Sequence, residues 1–506
     1  MQRKAHVSFL PIALLTAFCA AAWAAEFAVP PSGLWTVERA QTWYEKQPWL
    51  IGCNFLPSTA VNDVEMWQQE TFDPATIDRE LGWAQDLGFN TVRVFVNYVV
   101  WKADAEGLKN RVDRFLDMAR RHSISTMIIL LDDCFKQDPK VGRQPEPEPG
   151  VHNSQWVASP GKRMTGDATS WGDLERYVKD MVKAFARDPR VVVWDLYNEP
   201  SQSLPLVEAV FRWAREIGPA QPLTTCVYGG SCDPKRLAEL SDVVSFHNYG
   251  GLGDVKKMVA QLAAWRRPLL CTEWMARPNS QFESHLPFLN ENKVGAWNWG
   301  LVAGRTQTNF PWGSPKNAPE PAVWFHDIFR KDGTPYNPRE IRVIKETTGK
   351  LPPRKTVIVI PTAQQEAVAW RYATEAPADG WFKPGFDDAA WKTGPAPFGA
   401  EEPPIARHPR TVWKTADLWL RREFEMPAGA FEELALLMHH DEDTEVYIDG
   451  VLAAKVAGYN AAYETFDLRP EAQAVLRPGR HLMAVHVRQT VGGQYIDVGI
   501  EGVAKQ

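Results

Sequence analysis

Val191-Val192-Val193-Trp194-Asp195-Leu196-Tyr197-Asn198-Glu199-Pro200 is the stretch that decides the fold. Three β-branched residues open it as a buried strand, and an amide, a carboxylate and a proline stop it abruptly. Polar chemistry is thereby gathered at one strand end. In a parallel α/β barrel the C-terminal strand ends form the ligand-meeting face, while the opposite face serves stability.

A second stretch has the same grammar. Pro268-Leu269-Leu270-Cys271-Thr272-Glu273-Trp274 is a short apolar run that also ends in a single glutamate. Two glutamates, each ending its own strand, are placed to face one another across a barrel mouth. Retaining glycoside hydrolysis needs two carboxyl groups about 5–5.5 Å apart, one to protonate the leaving oxygen and one to attack the sugar carbon. An isolated glutamate is more often a surface ion-pair partner, but the doubled pattern favours chemistry.

Outward from these two strands, apolar runs alternate with amphipathic helical segments, which predicts βα units around a parallel sheet. Eight strands are expected: Leu50–Phe55, Thr91–Val96, Met127–Leu131, the run ending at Glu199, Leu223–Val227, Val243–Phe246, the run ending at Glu273, and Val294–Trp299. Asp73-Pro74 opens a helix as N-cap and first residue, with Ile77, Leu81, Ala84 and Leu87 on one face and Gly88 ending it. The fold class expected is a (β/α)8 barrel followed by an all-β jelly-roll sandwich.

Residues near the other strand ends then crowd the glutamates. Arg93, inside the second strand, is costly to bury without a carboxylate, and Glu273 is the natural partner: a fixed positive charge keeps a nucleophile ionised and leaves Glu199 its proton. A purely structural ion pair is the alternative. His247 and Tyr249 follow the sixth strand, placed either to orient the carboxylates or as satisfied structural donors. Asn198 is a donor for a sugar 2-hydroxyl, and Asn54 ends the first strand. Trp297 and Trp299 share a strand face by period two, so that one of them floors a sugar subsite. Asp132 and Asp133 precede a long Pro/Gly-rich loop, Gln144 to Trp156, expected to wall the cleft. They contact substrate hydroxyls or serve a cap or salt bridge, and they fall short of a calcium ligand set.

Bulk composition sets the frame. At 506 residues the chain is too long for one ordinary domain. A net charge of −6 without basic blocks argues against a nucleic-acid partner. The 22 tryptophans suit stacking on sugar faces, although core packing accounts for most. Residues 1–24 carry Arg3 and Lys4, an apolar run from Val7 to Ala22 and the triplet Ala22-Trp23-Ala24, the pattern of a cleaved secretory signal, so a secreted or periplasmic location is expected. A retained membrane anchor or a lipid attached at Cys19 is the poorer reading, and no later segment is long and apolar enough to span a membrane. Outside the leader the cysteines are odd in number, so at least one thiol is unpaired or pairs between chains. Cys53, Cys134, Cys226 and Cys271 are expected to pack as small hydrophobes. Cys226 and Cys232 are close enough for a loop disulfide. No cysteine or histidine spacing suits zinc, and neither metal nor cofactor is called for.

The chain from about Trp49 to Gly349 resembles the retaining glycoside hydrolases of the (β/α)8-barrel clan, most closely the family 5 cellulase-like enzymes. The motifs are Arg93 in NTVRVFV, Asn198-Glu199-Pro200 in WDLYNEP, His247 and Tyr249 in SFHNYG, Glu273 in CTEW and the late-strand tryptophans, together with EMWQQETFDP and GVHNSQW. The resemblance implies Glu199 as acid/base and Glu273 as nucleophile, with Arg93, Asn198, His247, Tyr249 and Trp299 in support. A carbohydrate is then the substrate, a plant or microbial polysaccharide or oligosaccharide. The rival of another class is a non-catalytic carbohydrate-binding protein on a barrel scaffold.

After Lys350 the texture changes. A catalytic domain over 25–350, a linker at 351–355 and a second domain over 356–506 are expected. The last shows short alternating runs, Leu418–Phe424, Glu445–Gly450 and His481–Val487 among them, the pattern of a β-sandwich. It resembles the galactose-binding-like jelly roll through GWFKPGFDDAAW, LRREFEMP and HHDEDTEVYIDG, which implies a carbohydrate-binding or a supporting module, with support favoured. Asp441, Glu442 and Asp443 form an acidic turn or a calcium site.

Overall fold

The computed structural model describes residues 33–400, 409–429, 431–460, 463–490 and 492–505. The leader expected over 1–24 lies outside them. Two compact units divide between Leu351 and Pro352.

The first unit is a parallel barrel. Its strands are β1 (Ile51–Asn54), β2 (Thr91–Phe95), β3 (Ser125–Asp132), β4 (Val191–Asn198), β5 (Leu223–Thr224), β6 (Cys226–Val227), β7 (Val244–His247), β8 (Leu269–Trp274) and β9 (Gly295–Trp299). They pair in the order β5-β4-β3-β2-β1-β9-β8-β7-β6. Nine strands replace the expected eight because the fifth, Leu223–Val227, is interrupted at Thr225. That residue leaves the ladder to donate its hydroxyl to Tyr197 O at 2.7 Å, while its N–H reaches Ser241 Oγ at 3.3 Å. β5 and β6 are consecutive, so the ring is an eight-strand barrel with one broken stave.

Buried runs without Pro make these strands, since in a parallel sheet both faces are covered. Alternation sends Val92 and Val94 outward to the helices and Arg93 and Phe95 inward. The helix over Pro74–Leu87 forms as read: Asp73 accepts the Thr76 N–H, Pro74 opens it, and Gly88 closes it at φ +86°, a left-handed turn that glycine adopts without cost. Below the mouth, Leu50, Met127, Val193, Val243, Leu270 and Trp297 fill the interior, with Trp43 and Tyr44 packed against them. The loops after β3 and β9 are the long ones, running 133–161 before a single helical turn at Lys162–Thr165 and 300–337 before the helix at Pro338–Thr347.

The second unit is a β-sandwich of two largely antiparallel sheets. The runs read from sequence appear as Asp417–Met426, Asp443–Ile448 and Gly479–Arg488. Leu418 faces Val487, and Leu420 faces Val485, which also faces Val446, so one face supplies the core. The other face of that sheet is covered by the GWFKPGFDDAAW segment. Arg421 donates to the carbonyls of Trp381 and Lys383 and to Asp388 Oδ2, and Phe382 stacks on Tyr447 with ring centres 4.6 Å apart. The acidic turn is bonded internally: Asp443 accepts the Gly458 N–H at 3.1 Å, and Glu442 accepts from Thr490.

Candidate active site

Arg93 organises the barrel mouth. Its side chain is wholly buried, and each nitrogen is used. Nε and Nη2 donate to Asp195 Oδ2 at 3.0 and 2.7 Å, and Nη2 also donates to Asn198 Oδ1 at 2.6 Å. Nη1 donates to Asn54 Oδ1 at 2.8 Å and to Glu273 Oε1 at 2.7 Å. A buried guanidinium is tolerated only when counter-charge and geometry repay its desolvation. Here burial opposes the charge, but Asp195 and Glu273 outweigh it and push the pKa above the ordinary arginine value.

Glu273 is the penultimate residue of β8, and its second oxygen, Oε2, accepts from Tyr249 Oη at 2.8 Å. Burial is the largest influence on this carboxyl and raises its pKa, with His247, Arg93 and the Tyr249 bond opposing. Glu199, just past β4, sits at φ +44°, a left-handed conformation that costs a residue with a side chain about 1–3 kcal/mol unless its surroundings hold it. Those surroundings are visible. Its N–H donates to Cys226 Sγ at 3.1 Å, and its carbonyl accepts from Tyr228 Oη at 3.1 Å. Asp133 pins the next turn by accepting the N–H groups of Ser201 and Gln202 at 2.9 and 3.0 Å.

The Glu199 carboxyl meets His247 Nδ1 at 2.8 Å through Oε1 and the Cys134 thiol at 3.3 Å through Oε2. Burial pushes its pKa up, against smaller lowering influences from Cys134 and Arg93. Burial takes His247 down to about 4, so the imidazole is neutral at pH 7 and its contact with Glu199 is a hydrogen bond, not an ion pair. One oxygen of Glu199, one of Glu273 and a ring nitrogen of His247 all lie within 4.8 Å of one another. Among the described residues this is the group whose donor atoms are close enough to share a cation. Two carboxyls so close titrate as a pair. Arg93 and Tyr249 both donate to Glu273 and favour its ionised form over that of Glu199.

The cleft above the pair is lined among others by Phe135, Asn153, Trp156, Trp299, Trp312 and His326. Trp299 stands against Phe95 and Trp156, with ring centres 6.0 and 5.7 Å away. The loop after β3 does wall the cleft, as its length suggested.

Several sequence expectations change. Arg93 does pair with Glu273, but Asp195 takes two of its bonds and was not anticipated. Trp297 is not in the cleft: it is fully buried in the lower interior, and of the two tryptophans Trp299 is the one that lines the site. Asp132 is 1% exposed, and its acceptors are engaged by Asn198 Nδ2 at 2.9 Å, Cys134 N–H at 3.0 Å and Trp156 Nε1 at 2.8 Å. It positions Asn198 and Trp156 instead of presenting itself to a hydroxyl. Asn54 likewise acts through Arg93, its Nδ2 tied to Thr272 O at 2.8 Å. Cys134 packs against Phe95, Ile129 and Trp156 as expected, and it also presents its thiol to the cleft. Cys53, Cys134, Cys226, Cys232 and Cys271 are all free, so the 226–232 loop disulfide is absent.

Residues 56–304 match the model of Cellulase (glycosyl hydrolase family 5). The barrel is an O-glycosyl hydrolase domain. No curated protein matches the chain. Among solved structures it is similar to a GH5_18 protein from Streptomyces cattleya in complex with GlcNAc, at 15% identity over 60% of this chain and 80% of that one, TM-score 0.43. It is similar also to a glycoside hydrolase family 5 mannosidase from Rhizomucor miehei, at 13% over 60% and 94%, TM-score 0.42. A third is an exo-beta-1,4-mannosidase from Opitutaceae bacterium strain TAV5, at 17% over 60% and 60%, TM-score 0.42. No helix of the described residues is long and apolar enough to cross a membrane.

Proposed function

We propose that this hydrolase retains anomeric configuration, with Glu199 as acid/base and Glu273 as nucleophile. The observation that carries the reading is the closeness of the two carboxyls, with oxygens within 4.8 Å. Inverting chemistry needs about 6.5–9.5 Å to seat a water between them, retaining chemistry about 5–5.5 Å. Environment separates their roles. Glu199, raised by burial, protonates the glycosidic oxygen as Glu273 attacks the anomeric carbon. The C–O bond to the leaving group breaks and a glycosyl ester to Glu273 forms. Glu199, now a carboxylate, takes a proton from water, whose oxygen attacks the same carbon, and Glu273 leaves ionised. Arg93 and Tyr249 hold the nucleophile's two oxygens throughout, and Asn198, oriented by Arg93 and Asp132, supports the sugar 2-hydroxyl.

Incubation with activated 2-deoxy-2-fluoro glycosides of differing sugars tests this by intact mass. One added glycosyl unit, absent from Glu273→Ala, establishes the ester and names the sugar. If no sugar labels the wild type while glycans still bind, the barrel is a lectin. Export from the cytoplasm remains part of the proposal, supported by the charged, apolar and small-residue succession of residues 1–24; a mature chain that still begins at Met1 would count against it.

A further inference from the structure

The two long loops are sewn together. Asn153 N–H donates to Thr306 O at 2.8 Å, Asn317 N–H to Pro149 O at 2.6 Å, and His152 Nδ1 meets Phe310 O at 2.7 Å. Gln307 accepts the Gly150 N–H at 2.8 Å and donates to Glu148 O at 2.7 Å, and Arg305 Nη1 reaches Glu146 Oε2 at 2.9 Å. Contact is close at Gly150, where φ is +79° and an added Cβ would sit 2.6 Å from Ala318 N.

β3 and β9 are not neighbours; β2 and β1 lie between them. The seam therefore spans the ends of four consecutive strands, and the connections after β1 and β2 are built into it. Arg305 N–H donates to Ser58 O at 3.1 Å, Asn62 Nδ2 to Gln155 O at 2.9 Å, and Asn97 Nδ2 to Ala158 O at 3.2 Å. The loop after β9 also continues the other way round the mouth. His326 Nδ1 meets Met275 O at 2.5 Å beyond β8, and Trp312 stands perpendicular to Tyr249, beyond β7, with ring centres 5.0 Å apart. The remaining arc differs. After β4 and β6 the chain runs only through 199–203 and 228–233 before the next helix, and these turns are bonded to each other, Cys232 N–H to Pro200 O at 3.0 Å.

We infer that the cleft is blind at its glycone end and open only above β4 to β6, so that the protein is exo-acting, releasing a mono- or disaccharide from the non-reducing ends of its substrate. The direction follows from the chemistry and rests on the roles assigned above. The leaving group departs on the side of the proton donor, Glu199, at the end of β4, beside the open arc. The sugar attacked by Glu273 lies toward Trp299 and Trp156, against the seam, and a chain continuing past it toward its non-reducing end would have to pass through hydrogen-bonded backbone.

Oligosaccharides and soluble polysaccharides of the sugar named by fluoro-glycoside labelling, tagged at the reducing end, test the inference by product length and viscosity. The expected result is stepwise shortening from the untagged end, with mono- or disaccharide released from the first time point and viscosity nearly flat. Early mid-chain tagged fragments with a fast viscosity drop would overturn exo action while leaving the retaining mechanism standing, since Glu273 is still labelled. If neither labelling nor turnover of any glycoside occurs, the catalytic reading itself fails and this inference falls with it. In Arg305→Ala/Gln307→Ala the seam loses its side-chain stitches, and the ratio of mid-chain to terminal cuts should rise. The wild-type product profile decides even if that variant fails to fold, and a folded variant with an unchanged ratio argues against the seam as the barrier.

Discussion

The barrel interior holds two layers built from the same strands by opposite rules. Lower down, Met127 of β3, Val193 of β4, Leu270 of β8 and Trp297 of β9 fill space with apolar volume. Above them, Arg93 of β2, Asp195 of β4 and Glu273 of β8 form a charged network with no exposed member beyond 4%. The lower layer is tolerant in kind, because any close-packed set of similar volume serves. The upper layer is not, because each group is satisfied only by its particular partners. Val193 and Asp195 are two residues apart on one strand face, so the change from packing to chemistry happens within a single pleat.

Breaking the upper layer at its centre should have the largest effect. Arg93→Ala strands Asp195 and Glu273 without their shared cation, and removing one partner of a buried pair costs about 3–5 kcal/mol. Denaturant unfolding should show that loss, and turnover should vanish with it. A variant of near wild-type stability would mean that the network relaxes or takes up water, contrary to the cooperative picture.

Glu199→Gln separates chemistry from stability. The amide keeps the hydrogen-bonding shape but has no proton to give, so kcat/KM on unactivated glycosides should fall by about 10²–10⁴-fold, with the melting temperature little changed. Glycosides whose leaving groups need no proton should suffer much less in the first step. Equal losses on both substrate types would remove Glu199 from the acid role. The lower layer should answer in the converse way. Trp297→Ala leaves a cavity in a packed interior and should cost about 3 kcal/mol or somewhat more, while the pH profile of the folded fraction stays as in the wild type. A displaced pH optimum would show that the two layers are coupled.

This contrast also explains what was legible in the chain. Strand positions were readable because buried runs and the helix at Pro74–Leu87 carry their own periodicity and caps. Glu199 and Glu273 were readable because a carboxylate that ends an apolar run has few bland explanations. Asp195 was within reach, since alternation puts it on the face of Val193 and a carboxylate there must find a cation. Trp297 and Trp299 were indistinguishable, because period two assigns a face but not a height along the barrel axis. Asp132 failed for another reason: its partner Trp156 lies 24 residues on, across a loop without periodicity. The segment 300–337, half of the seam, shows no repeat at all, and its hydrogen bonds are largely to backbone carbonyls, which no side-chain pattern advertises.

Cys134 offers the finest test, because its thiol sits at the edge of the charged network, donating to Glu199 Oε2 at 3.3 Å and accepting from Asn198 Nδ2 at 3.6 Å. Sulfur is a weak donor, so Cys134→Ala should leave the plateau rate within a few-fold of wild type and should barely change stability. The pH profile carries the information. The catalytically competent form has Glu199 protonated, so activity is lost as pH rises through its pKa and the alkaline limb of kcat/KM reports that group. The thiol favours the ionised form of Glu199 and so lowers its pKa against the raising influence of burial. Removing it releases that restraint, the pKa moves higher, and the alkaline limb must shift to higher pH while the acid limb, set by Glu273 beside Arg93, stays in place. A shift of the acid limb instead would assign the proton to the other carboxyl, and with it reverse the roles of Glu199 and Glu273.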